Sequence, residues 1–299
     1  MNAADLASEL AAGRNRADWV GAVTRYFAAH TLCYGHGAGG GEDEAWWLVW
    51  HLSGQPDRLR SLPPDAALAG RLAAVARQRV EQRIPLAYLL GSAWFAGLEF
   101  EVTPAVLIPR SPLAELVEQR FAPWAALAAG DRVLEIGTGT GCIAIATAVH
   151  QPDLAVDASE IDEAALALAR RNADRHAVGD RLLLIRADLF PPGPARYRVI
   201  ISNPPYVPRA EILALPPEYA HEPAAALDGG DDGLDVVRRL LSQAAERLEP
   251  KGVLIVEVGL AAEALIEAFP RVPWTWIEVE RGGDGVFVLT AEEITDGWR

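Results

Sequence analysis

A strand, a glycine-rich loop and a helix follow one another in residues 131–146, which read DRVLEIGTGTGCIAIA. Glycine at alternate positions permits a sharp turn and lets backbone N–H groups come close to a ligand. Such a loop could also hold a dinucleotide, but the usual dinucleotide spacing is Gly-x-Gly-x-x-Gly, and no Lys-Ser or Lys-Thr follows to make a P-loop. The candidate ligand-binding residues here are Gly137, Thr138, Gly139, Thr140 and Gly141.

Strands and helices alternate from residue 131 onward, a pattern typical of βαβ units around a parallel sheet. The last two apolar runs, residues 274–279 and 285–289, are joined by Arg281-Gly282-Gly283-Asp284, which predicts a closing antiparallel hairpin. We therefore expect an α/β fold with a seven-stranded, doubly wound, Rossmann-like sheet. Ligands of such sheets bind at the carboxyl ends of the strands.

The second predicted strand ends at Glu160, nineteen residues after Gly141. An acid at this place accepts hydrogen bonds from the hydroxyls of a ribose. Asp157 is a rival for the role, although alternation within the strand favours Glu160, and a solvated carboxylate at a helix start is the alternative interpretation. The third strand leads to Asp188, placed to accept from an adenine amino group, and to Leu189, placed to pack on the ring.

The fourth predicted strand, residues 197–201, runs into Asn203-Pro204-Pro205-Tyr206. The two prolines stiffen this loop and have no N–H, while their carbonyls stay free to accept hydrogen bonds. The Asn203 side-chain oxygen and the Pro204 carbonyl make two acceptors, and Tyr206 adds a flat ring. This combination suits a planar NH₂ group, although a tight surface loop or a polyproline ligand could have the same four residues.

Taken together, these strand ends indicate S-adenosyl-L-methionine with an amine or amide acceptor beside it, and S-adenosyl-L-homocysteine as the product. We expect a class I methyltransferase domain that needs no metal. The predicted cofactor residues are those of the glycine loop with Glu160, Asp188, Leu189 and Asn203. The predicted catalytic residues are Asn203, Pro204 and Tyr206, and the substrate contacts also include Pro205.

Over nearly its whole length, the chain resembles the protein glutamine methyltransferases, which modify the side-chain amide nitrogen of glutamine in a Gly-Gly-Gln segment. Besides the motifs above, the resemblance includes three further segments, which are VLIPR at 106–110, EPAAALDGG at 222–230 and VEVG at 256–259. Within them, Arg110 is expected to meet a carboxylate or the substrate backbone, or to pair with Glu115. Glu222 and Glu257 are expected to support the pocket from behind.

The family has two branches, one acting on peptide release factors and one on the large-subunit ribosomal protein L-three. The release-factor branch usually has Pro-Arg-Pro-x-Thr-Glu where this chain has PRSPLAE at 109–115. That segment, with YGHG at 34–37 and DEA at 43–45, looks like the ribosomal-protein branch, although Glu160 stands where Asp is more usual there. The resemblance implies L-three as the substrate, with a release factor as the alternative.

The first part of the chain has apolar residues at helical spacing and no catalytic constellation. We expect a helical substrate-recognition domain at 1–90, a linker at 91–111 with a β-hairpin turning near Gly97, and the methyltransferase domain at 112–299.

The chain has 299 residues and a net charge of −14. This charge argues against direct DNA binding, and hence against an adenine-N6 methyltransferase, because binding to phosphates needs clustered Lys and Arg. It suits a basic protein partner, and it equally suits simple solubility. No membrane span or signal pattern is evident, which predicts a cytoplasmic protein. Cys33 and Cys142 lie far apart without metal-ligand spacing.

Overall fold

The computed structural model describes residues 1–54 and 65–298. The chain divides into two compact units. One unit comprises Met1–Ser92 together with Pro216–His221, and the other comprises Ala93–Leu215 together with Glu222–Arg299.

The first unit is helical. Its helices are α1 (Ala3–Ala12), α2 (Arg16–Ala28), α3 (Gly41–Leu52), α4 (Ala66–Glu81) and α5 (Leu86–Leu90). The first helix begins where Asn2 accepts from the backbone N–H groups of Ala4 and Asp5, and the Asp5 carboxylate accepts from the Asn2 N–H in return. The helices enclose one apolar core, whose fully buried members include Leu6, Trp19, Phe27, Leu48 and Leu72.

A buried ionic cluster also lies within this unit. Arg79 of α4 donates to Glu44 at 2.8 Å and to Glu218 at 3.0 Å, and all three side chains are buried. Arg83 pairs with Glu218 at 2.9 Å. Burial opposes ionisation of Glu218, but hydrogen bonds from Arg83, the Cys33 N–H and Arg79 outweigh it and lower the Glu218 pKa to about 2. The cluster therefore ties Pro216–His221 to α4 although the two are far apart in sequence.

A β-hairpin of β1 (Ser92–Phe95) and β2 (Leu98–Glu101), which turns at Ala96 and Gly97, lies in the second unit from Ala93 onward. This confirms the predicted hairpin. The elements that follow, in chain order, are α6 (Leu113–Glu118), β3 (Arg132–Ile136), α7 (Cys142–His150), β4 (Ala155–Glu160), α8 (Glu163–Arg175), β5 (Leu182–Arg186), β6 (Tyr197–Ser202), α9 (Arg209–Ile212), α10 (Asp235–Arg247), β7 (Leu248–Glu257), α11 (Ala262–Ala268), β8 (Thr275–Ile277), β9 (Val286–Thr290) and α12 (Ala291–Trp298).

A seven-stranded sheet has the order β5-β4-β3-β6-β7-β9-β8, which confirms the predicted α/β fold. Neighbouring strands from β5 to β7 run parallel, and β9 is antiparallel to both β7 and β8. The chain moves outward from β3 to β5 and then returns to β6 on the other side of β3. The carboxyl ends of β3 and β6 therefore flank the point where doubly wound sheets bind ligands.

Apolar side chains cover both faces of the sheet. One face places Val133, Val199 and Ile255 against α7, and the other places Leu134, Ile200 and Leu254 against α10. Successive residues of each strand thus enter different cores, as expected for parallel strands buried on both faces. Across residues 1–54 and 65–298, we find no helix with both the length and the apolar character needed to cross a membrane.

Candidate active site

The strand register brings three of the predicted loops to one place. Ile136, the last residue of β3, pairs with Ser159 of β4 on one side and with Ser202 of β6 on the other. The residues that follow these three are Gly137, Glu160 and Asn203. Because neighbouring strands lie about 4.8 Å apart, the three loops start at the same level of one sheet edge.

The glycine loop leaves open space above its backbone. Gly137 and Gly139 have φ angles of 72° and 54°, and a Cβ built on either would have no protein atom within 4 Å. At Gly141, with φ 83°, a Cβ would lie 2.8 Å from the Ile145 Cδ1. The first two glycines therefore form a cradle that a ligand can approach, while the third is needed for close packing of α7.

Glu135, in β3, braces this loop from below. Its Oε2 accepts from the Thr138 hydroxyl at 2.5 Å and from the Ala144 N–H at 2.8 Å. The side chain is buried, and burial raises the Glu135 pKa to about 8. The sequence analysis did not single out this residue, although an acid inside an apolar strand is itself a signal.

The Glu160 carboxylate reaches the glycine loop. Its Oε2 accepts from the Gly139 N–H at 2.9 Å, and its Oε1 accepts from the Ile161 and Asp162 N–H groups at 2.9 and 3.0 Å. By contrast, Asp157 is bound within the sheet to Arg132 at 2.5 Å and to the Tyr197 hydroxyl at 2.8 Å. Of the two rival acids, only Glu160 lies at the sheet edge beside the glycines.

Asp188 and Leu189 follow β5 and have different environments. Asp188 is half-exposed, and its Oδ2 accepts from Arg239 of α10 at 2.7 Å. Leu189 has φ 66°, and its side chain is buried in the core cluster that also contains Ile136. Its carbonyl accepts from the Ser159 hydroxyl at 2.5 Å, so this bend is fastened to the end of β4.

The Asn203–Tyr206 loop is held at both ends. Pro204 is buried, and Asn203 and Tyr206 are partly buried. The Tyr206 hydroxyl donates to the Glu257 Oε1 at 3.0 Å, and Asn203 directly follows Ser202, whose partner in the strand register, Val256, directly precedes Glu257. The Tyr206 ring lies against the backbone of Gly259, where a Cβ would come within 2.7 Å of the ring.

Glu257 ends β7 next to this loop, since Ser202 pairs with Val256. Its Oε2 accepts from the Ser111 hydroxyl at 2.5 Å. Burial raises the pKa of Glu257, and hydrogen bonds from Ser111, Tyr206 and Asn203 oppose that rise. Glu257 therefore has polar contacts from two separate loops in an otherwise buried setting.

Arg110 pairs with Glu222 through both guanidinium nitrogens, at 2.5 and 2.7 Å. Glu222 also accepts from the Ile108 N–H at 3.0 Å. The alternative prediction of an ion pair between Arg110 and Glu115 is wrong. The Glu115 carboxylate instead accepts from the N–H groups of Glu280 and Arg281, because α6 lies under the β8–β9 loop.

A seven-stranded sheet with one antiparallel strand, and with a glycine loop and an acid at its adjacent strand ends, defines a class I methyltransferase. In agreement, the family described as Methyltransferase small domain matches residues 118–215. A "Ribosomal protein uL3 glutamine methyltransferase" from Xanthomonas campestris pv. campestris is 42% identical over 91% of this chain and 89% of its own length. The chain belongs to the family of ribosomal protein uL3 glutamine methyltransferases.

The chain is also similar to a second curated relative and to a solved structure. A relative of the same name from Bordetella pertussis is 41% identical over 91% of this chain and 93% of its own length. Among solved structures, a methyltransferase from Pyrococcus furiosus aligns with a TM-score of 0.45 and 22% identity, covering 64% of this chain and 88% of that chain.

Proposed function

We propose that the protein transfers a methyl group from S-adenosyl-L-methionine to the side-chain amide nitrogen of a glutamine in a Gly-Gly-Gln segment of ribosomal protein uL3, the L-three protein. The sulfonium becomes the thioether S-adenosyl-L-homocysteine, and the nitrogen loses one proton to solvent after it has accepted the methyl group. Family membership supports this proposal, since relatives of that name match over 91% of the chain. The observation that carries it is the Asn203–Tyr206 loop at the end of β6, level with the glycine loop at the end of β3.

The residues at the sheet edge fit the cofactor. The Gly137–Gly141 loop offers open space and backbone N–H groups, and the Glu160 Oε2, which accepts only from the Gly139 N–H, has a further lone-pair site for a ribose hydroxyl. In the bend after β5, Asp188 accepts from the adenine amino group, and Leu189 packs on the adenine ring. When bound, the cofactor supplies a sulfonium-activated methyl group, which needs neither metal nor reductant.

The chain's contribution at the acceptor is to hold a poor nucleophile still. An amide nitrogen shares its lone pair with its carbonyl, which makes it a poor nucleophile. The rate of methyl transfer therefore depends on how the nitrogen is oriented and on the groups that surround it. The Asn203 side-chain oxygen and the Pro204 carbonyl each accept one N–H of the glutamine amide. They orient the nitrogen and stabilise the positive charge that develops on it. Pro205 stiffens the loop, and the Tyr206 ring packs on the amide plane and excludes water.

The helical region is proposed to recognise the ribosomal protein, with residues 1–90 as the recognition domain, 91–111 as the linker and 112–299 as the catalytic domain. The YGHG segment at 34–37 belongs to this region. Within the first unit, the His36 ring lies 4.5 Å from the Tyr219 ring, and a Cβ at Gly35 would meet the Tyr219 hydroxyl at 2.6 Å. Residues 34–37 are thus closely packed against Pro216–His221. This packing supports the proposal that the two segments act together in recognising the substrate.

The identity of the substrate is tested by incubating the protein with labelled S-adenosyl-L-methionine and each of three acceptors in turn. The acceptors are uL3, a peptide release factor and unmethylated DNA. We expect uL3 to take up the label. Label in the release factor alone would assign the chain to the other branch of glutamine methyltransferases. Label in DNA would indicate adenine-N6 chemistry.

The assigned roles predict opposite effects for two variants. Asn203→Ala removes one acceptor for the amide, so turnover should fall by about 100-fold or more while cofactor affinity stays within a few-fold. Glu160→Ala should weaken cofactor binding first. Calorimetric titration with S-adenosyl-L-methionine, paired with a turnover assay, measures both quantities. If Asn203→Ala lost cofactor affinity and turnover together, the separation of roles would be wrong.

A further inference from the structure

Glu257 collects hydrogen bonds from two loops that are distant in sequence. Its Oε2 accepts from Ser111, which precedes α6, and its Oε1 accepts from Tyr206, which follows β6. Asn203 lies next to Glu257 in the strand register, and its side chain contributes to lowering the Glu257 pKa. The residue is 6% exposed and lies one position beyond Val256, the partner of Ser202. It is therefore placed directly behind the proposed acceptor site without being part of its surface.

The proton of the Ser111 hydroxyl has a defined direction. The Ser111 Oγ itself accepts from the Leu113 N–H at 3.1 Å, and it donates to the Glu257 Oε2 at 2.5 Å. A hydroxyl has only one proton to donate, so this one is committed to Glu257. The contact therefore favours the ionised carboxylate.

An ionised carboxylate offers only acceptors. The Asn203 side chain must therefore turn its NH₂ group toward Glu257, which directs its oxygen away from Glu257. The two ends of an amide have nearly the same shape, so packing alone does not choose between them. If the side chain were reversed, its NH₂ group would face the NH₂ group of the incoming glutamine, and no hydrogen bond would form.

We propose that Glu257 is a positioning residue that fixes the orientation of the Asn203 amide for the methyl acceptor, and that the Ser111 hydroxyl holds Glu257 in the state that does so. This inference rests on the proposed function, because it assigns Asn203 its task there. Glu257 touches neither the substrate nor the cofactor in this scheme. It acts through Asn203 and, by its second oxygen, through Tyr206.

The groups that face Glu257 determine how its action depends on pH. Burial raises its pKa, whereas hydrogen bonds from Ser111, Tyr206 and Asn203 and the nearby charge of Arg110 lower it. Since the ionised form is required, kcat should rise as the pH increases through the Glu257 pKa. Removing the Ser111 hydroxyl takes away one lowering contact, so the acid limb of kcat should move to higher pH.

The test compares Glu257→Gln, Ser111→Ala and Ser111→Thr with the control Ser242→Ala, which removes an exposed hydroxyl of α10. For each variant, kcat and KM for uL3, the cofactor Kd, the melting temperature and the pH profile of kcat are measured. We expect Glu257→Gln to lower kcat by about 100-fold with cofactor affinity within about two-fold. Ser111→Ala should lower kcat by about ten-fold and move the acid limb up by about one pH unit. Ser111→Thr should restore both.

Either of two results would overturn the role of Glu257. One is a kcat for Glu257→Gln within about three-fold of wild type, and the other is a pH profile of kcat for Ser111→Ala whose acid limb has not moved. If Glu257→Gln fails to fold, the acid limb of the kcat profile of Ser111→Ala still tests the role of Glu257. Failure of the wild-type enzyme to methylate uL3 is a separate outcome that refutes the proposed function itself. Methylation of uL3 by wild type and by Glu257→Gln at similar rates refutes only the positioning role.

Discussion

Individual carboxyl groups at the sheet edge are buried next to polar partners. Glu135 shows most clearly how such burial raises the pKa of a carboxyl group. It lies at 2% exposure beneath the glycine loop, and both of its hydrogen bonds go to Oε2. Its other oxygen can therefore carry a proton without losing a contact. Burial raises the Glu135 pKa even though these two hydrogen bonds lower it, and the neutral side chain can keep both contacts to the loop.

This arrangement predicts how stability depends on pH. The Glu135 pKa is about 8 in the folded protein against 4.5 for the unperturbed group, so between these values the folded state binds more protons than the unfolded state. Stability therefore falls as the pH rises through this window, by at most about 1.4 kcal/mol per pH unit from this group. Glu135→Gln, which mimics the neutral form, should flatten that slope.

The measurement is the free energy of unfolding in urea across the window between the two pKa values. Glu163→Gln is the matched control, because Glu163 is an exposed carboxylate at the start of α8. Parallel pH curves for Glu135→Gln and wild type would show that Glu135 does not titrate in this range.

At the same scale, the sequence predicted which residues lie at the sheet edge, but it did not predict the partners of the side chains behind them. Asn203 and Glu160 follow apolar strands directly, so their place at the sheet edge could be predicted from local pattern. Arg110 was assigned a nearby partner as one option, whereas its actual partner Glu222 is 112 residues away. The Ser111–Glu257 contact spans 146 residues. Spacing along the chain contains no information about such contacts.

Among the elements, the strands and helices were largely predictable because their apolar periodicity is strong. The β-hairpin at Gly97 and the antiparallel pairing of β8 and β9 agree with the turn signals in the sequence. The insertion of β9 between β7 and β8 did not follow from those signals. A hairpin signal pairs two strands with each other, but it does not say which of them joins the rest of the sheet.

The helix α4 carries the ionic cluster that holds Pro216–His221. Arg79 is fully buried between Glu44 and Glu218, so its removal leaves the buried Glu44 carboxylate without its arginine partner, while Glu218 keeps Arg83. Losing one member of a buried ion pair costs about 3–5 kcal/mol. We expect Arg79→Met to lower the free energy of unfolding of the protein by this amount, as measured by urea denaturation.

The control for this prediction lies on the same helix. Arg77 is exposed and approaches Glu81 at 3.8 Å, so Arg77→Met should change the free energy of unfolding by less than about 0.5 kcal/mol. Equal effects of the two substitutions would mean that the buried cluster contributes no more than an exposed ion pair.

For the whole molecule, the net charge of −14 bears on how a basic substrate reaches the active site. Long-range attraction speeds association and is screened by salt. Raising the ionic strength from about 0.1 M to about 1 M shortens the screening length from about 10 Å to about 3 Å. We expect kcat/KM for uL3 to fall several-fold over this range, in a steady-state assay.

The cofactor provides the internal comparison, because we expect its affinity to depend mainly on short-range hydrogen bonds at the proposed site of the glycine loop and Glu160. Its Kd should change little over the same range of salt. A kcat/KM for uL3 that is independent of salt would show that the acidic surface serves solubility and does not attract the substrate.

The central claim is that the pocket presents two oxygen acceptors to a flat amide beside an activated methyl group. Its most direct test is to react uL3 with the protein and S-adenosyl-L-methionine and to locate the added methyl by fragment mass spectrometry. We predict a single methyl on the side-chain nitrogen of the glutamine in the Gly-Gly-Gln segment, and at least about 100-fold less of it in the same reaction time when Asn203→Ala replaces the wild type. A methyl group on a lysine, an arginine or the terminal amine of uL3 would contradict the claim.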